Sequence, residues 1–189
     1  EAVFAPAPSG VAENASVWPG HALHLGAVRA ELPSVAHLPI EQRSRNNALL
    51  LAALAQIHDQ VNAAIDLHGA HRIGVVLGTS TSGVAESEAA IAAHVRDGTL
   101  PAGFHVGQQE LGSPALMLTQ WLGLGGPGYV VSTGCSSGAK ALASGARLLK
   151  AGLCDAVLVG GVEALCAMTV AGFSALESVD AASCRPMSA

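Results

Sequence analysis

Cys135 is the residue with the most chemistry to offer. It stands in the run Y-V-V-S-T-G-C-S-S-G-A-K-A-L-A-S-G-A-R-L-L-K-A-G, residues 129–152, with Gly134 before it and Gly138 one turn beyond. The apolar residues 129–133 read as a strand, and residues 136–151 as a helix ended near Gly152. The thiol therefore falls at a strand-to-helix corner, where small neighbours permit a sharp turn and the side chain is lifted to the amino end of a helix. First-turn N–H groups have no partner within the helix and carry partial positive charge, so they favour a thiolate, the nucleophilic form of cysteine. The N–H of Cys135 can also point at the oxygen of a bound thioester, as half of an oxyanion hole. The expected chemistry is acyl transfer to sulfur. A cysteine in an apolar chain is ordinarily a small buried hydrophobe. That reading fits Cys154, Cys166 and Cys184, which lie near element ends or in apolar runs; the corner sets Cys135 apart.

The corner needs a sheet behind it. Residues 72–78 read as a buried strand, because Ile73, Val75, Val76 and Leu77 form a short branched run ended by Gly78. T-S-T-S-G, residues 79–83, then turns the chain into a helix over about 84–96. A further helix is predicted for 109–122, before the turn-rich G-L-G-G-P-G of 123–128, and a third strand for 155–159. Upstream, Leu49, Ala52, Ala53, Leu54, Ile57, Val61 and Ile65 recur at helical spacing behind Ser44, a candidate N-cap, and predict one helix over 45–65. Strands separated by helices imply crossover connections and a mostly parallel sheet between helices, an α/β fold. Residues 1–43, rich in proline and without clear periodicity, read as an extended arm and loops. Residues 44–189 read as one domain, and residues 166–189 as its less regular end.

Composition narrows the function. The chain has 189 residues, half of them apolar and few aromatic, enough for one well-buried domain of closely packed layers. A net charge of −5, with nine Lys and Arg, gives no basic face for nucleic acid. The longest apolar run, residues 48–55, is far shorter than the ~20 residues of a membrane span. No C-x-x-C pair or metal-ligand spacing occurs, and no cofactor is implied, so a reducing cytoplasm fits the four cysteines. No secretory leader is visible. The eight His are scattered over the arm, helix ends and loops, with no pattern that makes any of them a catalyst.

Several short motifs in order carry a resemblance. G-T-S-T-S-G at 78–83, G-L-G-G-P at 123–127, S-T-G-C-S-S-G at 132–138, L-V-G-G-V-E at 158–163, G-F-S-A-L at 172–176 and C-R-P at 184–186 are similar to those of the condensing enzymes of the thiolase fold. Within that fold the chain resembles the elongating β-ketoacyl-[acyl carrier protein] synthases. S-R-N-N at 44–47 and C-S-S-G-A-K look most like the synthases found beside aryl-polyene and related pathways. Gly134 departs from the Ala of many relatives, a change between small residues.

The resemblance implies a thiolase-like amino-terminal half, which in an intact protein stacks on a second, similar half. It makes Cys135 the nucleophile that takes an acyl group from acyl carrier protein, before decarboxylative condensation with malonyl-carrier protein. The two His and the Lys that complete the family's site lie beyond C-R-P, so residues 1–189 alone are expected not to turn over. Thr81 matches a position lining the acyl-chain pocket; a turn threonine bonded to its own backbone is an equal reading. Phe104 and His105 match a stretch that reaches toward the partner's pocket. Arg43, Arg45, Arg96 and Arg185 match neighbourhoods that dock the acidic carrier, although each singly reads as a solvated charge. Glu163 resembles an acidic residue that organises hydrogen bonds. The 129–133 strand matches the one that pairs across a dimer, either a homodimer or a heterodimer with a related subunit. Two rivals stand beside this reading. One is a non-condensing, chain-length-factor-like partner, which typically lacks the Cys; the other is a coenzyme A-dependent thiolase-fold enzyme.

Overall fold

Short alternating segments at the front of the chain form a hairpin that the proline-rich composition conceals. In this computed structural model, which describes residues 10–17, 20, 22–180 and 182, β1 (Val11–Asn14) pairs antiparallel with β2 (Leu23–Gly26). The chain divides into two compact units, residues 1–31 with 165–189 and residues 32–164. The larger unit carries the parallel sheet.

That unit begins with Leu38 in the core and a single 3₁₀ turn over Ile40–Gln42. Ser44 caps α1 (Arg45–Ala55), its hydroxyl accepting from the N–H of Asn47 as the sequence predicts. The single helix predicted over 45–65 is instead two. α1 ends in tightened bonds, Gln56 N–H to Ala53 O and Ile57 N–H to Leu54 O, and α2 (His58–His68) departs at 76°. On either side of the bend, Leu50, Leu51 and Leu54 of α1 and Val61 of α2 join one core.

β3 (Ile73–Gly78) is buried at all six positions, as its unbroken apolar run requires. It is followed by α3 (Val84–Asp97), and a 3₁₀ turn at Val106–Gln109 precedes α4 (Ser113–Trp121). α4 starts later than the predicted 109, with Pro114 in its first turn, where the missing N–H has no helical partner to lose. β4 (Gly128–Val131), α5 (Ser137–Lys150) and β5 (Ala156–Gly161) complete the unit. In the other unit, the stretch read as irregular contains α6 (Ala167–Ala175).

The three-stranded sheet has the order β4-β3-β5, parallel throughout, with Gly78 level with Val131 on one side and Gly161 on the other. Side chains alternate between its faces. Ile73, Val75 and Leu77 join the core with α1, α2 and Met117 and Leu118 of α4. The opposite face carries α5, where Gly145 lies against Val157 and Val159, and the Tyr129 hydroxyl bonds Ser144 Oγ at 2.8 Å. At the other end of the strands, Arg72 holds Asp155 with two bonds of 2.8 and 2.9 Å and also donates to the carbonyls of Gly152 and Leu153. No single helix among the described residues is long and apolar enough to cross a membrane.

Candidate active site

β3 and β4 run into polar, glycine-bearing turns and β5 into the segment that carries Glu163, and the three meet. β4 runs into the Cys135 corner, where Gly134 takes φ 62°, a left-handed conformation that glycine adopts without penalty. The position has room for a methyl group but a backbone that residues with a Cβ rarely adopt. The corner is bonded to itself. Ser137 Oγ accepts from the Thr133 N–H at 2.9 Å and donates to the Gly134 carbonyl at 2.6 Å. Ser136 Oγ donates to the Thr133 carbonyl at 2.9 Å. Cys135 is a free, exposed thiol immediately before the Ser136 N-cap of the 14-residue α5. Cys154 and Cys166 are buried, Cys154 against Gly74 and Cys166 beside Thr169 Oγ1 at 2.8 Å. Burial pushes the Cys154 thiol pKa up. The packing role expected of both is what the structure shows, whereas Cys184 lies outside the described residues.

Gly78, the last residue of β3, touches the first turn of α5. A Cβ there would stand 2.7 Å from the Ser137 carbonyl carbon and the Gly138 nitrogen. The Cys135 corner is thereby seated on the loop that contains Thr79, Ser80 and Thr81. That loop in turn surrounds Glu163, two residues beyond β5. The carboxylate accepts from the hydroxyls of Thr79, Ser80 and Thr81 and from the N–H groups of Ser80 and Thr81, all within 3.1 Å. Partial burial pushes its pKa up, but the Ser80 and Thr79 hydroxyls and the backbone donors outweigh that and hold it below its usual value. The organising role read for Glu163 from the sequence is realised in these bonds.

Thr81 is buried, its hydroxyl bonded to Glu163 and, at 3.5 Å, to the Ala164 carbonyl. Ser82 then takes φ 47° and donates to the Glu110 carbonyl, tying this loop to residues 104–110. In that segment Phe104 is half-buried, and His105 Nδ1 accepts from the Gly107 N–H while Gln108 reaches back to the His105 N–H. Gln108 Nε2 also donates to the Arg43 carbonyl at 2.7 Å. Thus the segments bearing Cys135, Thr81, Phe104, His105 and Arg43 are joined by direct bonds and contacts.

The arginines do not form one cluster. Arg43 is exposed and donates to the Leu38 carbonyl, and Arg45 begins α1, with its N–H on Glu86. Arg96 lies ten residues along α3 from Glu86, roughly 15 Å by helical rise, and is paired with Asp97. Arg185 lies outside the described residues. A half-open apolar pocket of about 90 Å³ is lined by Leu50, Ala53, Leu54, Ile57, Leu77 and Leu158, among others. Neither Cys135 nor Thr81, Phe104 or His105 contributes to it.

Sequence reasoning missed Ser136, Ser137 and Thr133 as the bonds that set the corner, and Thr79 and Ser80 as partners of Glu163. The hydroxyl-rich spelling of both turns was the available signal, but their partners are fixed only by the fold.

Comparison with known proteins agrees with this geometry. Residues 8–189 match the family model described as β-ketoacyl synthase, N-terminal domain. A solved ketosynthase (ApeO) in complex with its chain length factor (ApeC) from Xenorhabdus doucetiae is 43% identical, with a TM-score of 0.85, over 93% of this chain and 44% of that one. The ishigamide ketosynthase/chain length factor shares the fold, with a TM-score of 0.76 at 17% identity over 94% of this chain and 46% of that one. Among curated relatives, 3-oxoacyl-[acyl-carrier-protein] synthase 2 of Vibrio harveyi is 30% identical over 74% of this chain and 34% of its own length. Nodulation protein E of Rhizobium sp. (strain N33) is 27% identical over 86% and 42%. The chain spans less than half the length of these relatives. It belongs to the β-ketoacyl synthase family, and the residues in hand are those of that family's thiolase-like amino-terminal domain.

Proposed function

We propose that Cys135 is the acyl-accepting nucleophile of a β-ketoacyl-[acyl carrier protein] synthase. The carrying observation is an exposed thiol before the first turn of α5, at the carboxyl ends of a parallel sheet, where α/β folds place their chemistry. In the first half-reaction the Cys135 sulfur bonds to the acyl carbonyl carbon, the carrier's C–S bond breaks, and the carrier thiol leaves with the proton. In the second, a malonyl-carrier thioester loses carbon dioxide, and its α-carbon attacks the Cys135 thioester, forming a C–C bond and releasing the sulfur. Thr81, Phe104 and His105 border the acyl chain. Arg43 and Arg45, exposed at the start of α1, contribute to docking of the acidic carrier in a reducing cytoplasm. Arg96, already paired with Asp97, adds less. The open edge of β4 supports pairing with a second, related subunit, and ketosynthase ApeO is solved in complex with its chain length factor.

Incubation with an acyl-carrier thioester, followed by intact mass measurement and peptide mapping, tests the reading. One acyl group on Cys135, absent from C135S, is expected; acylation of another cysteine instead removes Cys135 from its role. Equal use of the coenzyme A thioester would favour the thiolase-fold rival. The presence of Cys135 itself speaks against a non-condensing partner.

A further inference from the structure

We infer that Glu163 is a specificity-positioning residue that acts through Thr81; the inference rests on the reading of Cys135 and Thr81 given above. Thr81 carries two groups beyond its Cβ, a hydroxyl and a methyl. The hydroxyl is taken up by Glu163 Oε1 at 3.1 Å and the Ala164 carbonyl at 3.5 Å, and the Thr81 N–H is held by the same carboxylate oxygen. With backbone and hydroxyl both tethered, the methyl is the part of the side chain without a bond, and on the reading above it is what an acyl chain beside Thr81 would meet. A residue that is polar by composition is thereby presented as an apolar one. The tether is specific to a carboxylate: five donors from Thr79, Ser80 and Thr81 converge on it. An ionised carboxylate offers only acceptors, whereas an amide must turn two N–H donors toward some of these groups.

The loop also bears a left-handed backbone at Ser82 (φ 47°), a conformation that costs a non-glycine residue energy and persists only while its surroundings fix it. Glu163 supplies a large share of that fixing, since Ser82 N–H is itself held by Thr79 Oγ1, which donates to Glu163. Losing the carboxylate therefore frees the Thr81 hydroxyl to turn toward the acyl path and loosens the loop that presents it.

The test compares Cys135 acylation by short and long acyl thioesters in the intact protein, with E163Q, T81V and the double variant. E163Q is expected to shift the long-to-short ratio about tenfold, the scale on which a pocket senses a change of methylene size. In the T81V background, where no hydroxyl can be released, E163Q should shift it less than about twofold, the coupling expected of residues acting as a unit. An unchanged ratio in E163Q, or the same shift with and without the Thr81 hydroxyl, overturns the inference. S80A removes one donor at an exposed site while keeping the carboxylate, and is expected to move the ratio in the same direction by about twofold to threefold. If E163Q does not fold, a wild-type ratio in S80A refutes the inference. Absence of acylation of Cys135 in the wild type identifies a failure of the underlying function instead.

Discussion

Replacing Gly78 by Ala tests whether the strand ends position the nucleophile. The added Cβ would stand 2.7 Å from the Ser137 carbonyl carbon and the Gly138 nitrogen, and 2.9 Å from the Ser137 oxygen. These are backbone atoms of the first turn of α5 and cannot swing aside as a side-chain tip can. Ordinary contact begins near 3.4 Å, so the turn must retreat by roughly 0.7 Å. Overpacking of this kind costs about 1–3 kcal/mol. The displaced turn begins two residues after Cys135 and is bonded to its corner through Ser137 and Gly134, so the sulfur moves with it. A misplacement approaching 1 Å costs up to about 10²-fold in rate. G78A should therefore unfold at lower urea, by about 1–3 kcal/mol, and acylate Cys135 at least about tenfold more slowly while keeping the cysteine chemically available. The assay pairs urea titration with the acylation rate from an acyl thioester. Unchanged stability together with a rate within twofold of the wild type would show that β3 does not seat the corner.

Three further outcomes follow from other observations. G134A meets no atom within 4 Å but must adopt φ 62°, so its cost should be about 1–2 kcal/mol of pure backbone strain; a neutral G134A would contradict the left-handed corner. The Arg72 hydrogen bonds hold the Asp155 carboxyl below its usual pKa, so its contribution is full above the unfolded-state value and lost as pH falls through the folded one. The stability gap between wild type and D155N should then be constant from pH 7 to about 5 and shrink at lower pH; a gap that stays fixed in urea titrations carried from pH 7 down to about 3 would refute the pairing. Among the described cysteines, Cys135 should react first with iodoacetamide, and Cys154 and Cys166 only after unfolding, as followed by peptide mass mapping.

The sheet was legible because its strands are unusually plain. Residues 73–78 and 156–161 are short branched runs ended by glycine, and the turn that follows the first is rich in hydroxyls. The break between α1 and α2 left no mark, since residues 56 and 57 include neither Gly nor Pro and the apolar spacing continues through them. Leu54 and Val61 stand at i and i+7, a spacing that serves one core whether the helix is straight or bent, so the pattern does not show the break. The β1–β2 hairpin was hidden because four-residue strands separated by eight residues give too short an alternation to separate from a loop. The candidate site was half legible. Cys135 was readable from local pattern, whereas the Glu163 cradle joins residues more than 80 positions apart and depends on the strand order.

Strand register is what converts these scattered turns into a site. Gly78, Val131 and Gly161 stand level, so the Thr79–Thr81 loop, the Cys135 corner and Glu163 leave the sheet at one height. A slip of β5 by one residue would displace Glu163 by about 3.3 Å and send every β5 side chain to the opposite face. Val157 and Val159 would then leave α5 and enter the core beside α1, while Leu158 would be driven against Gly145, where Val159 already lies so close that an added Cβ would stand 2.7 Å from it. The small helix residue and the large strand residues opposite it thus help to fix the height of Glu163. Packing on the α5 face, remote from the thiol, sets whether the carboxylate arrives where Thr81 can use it.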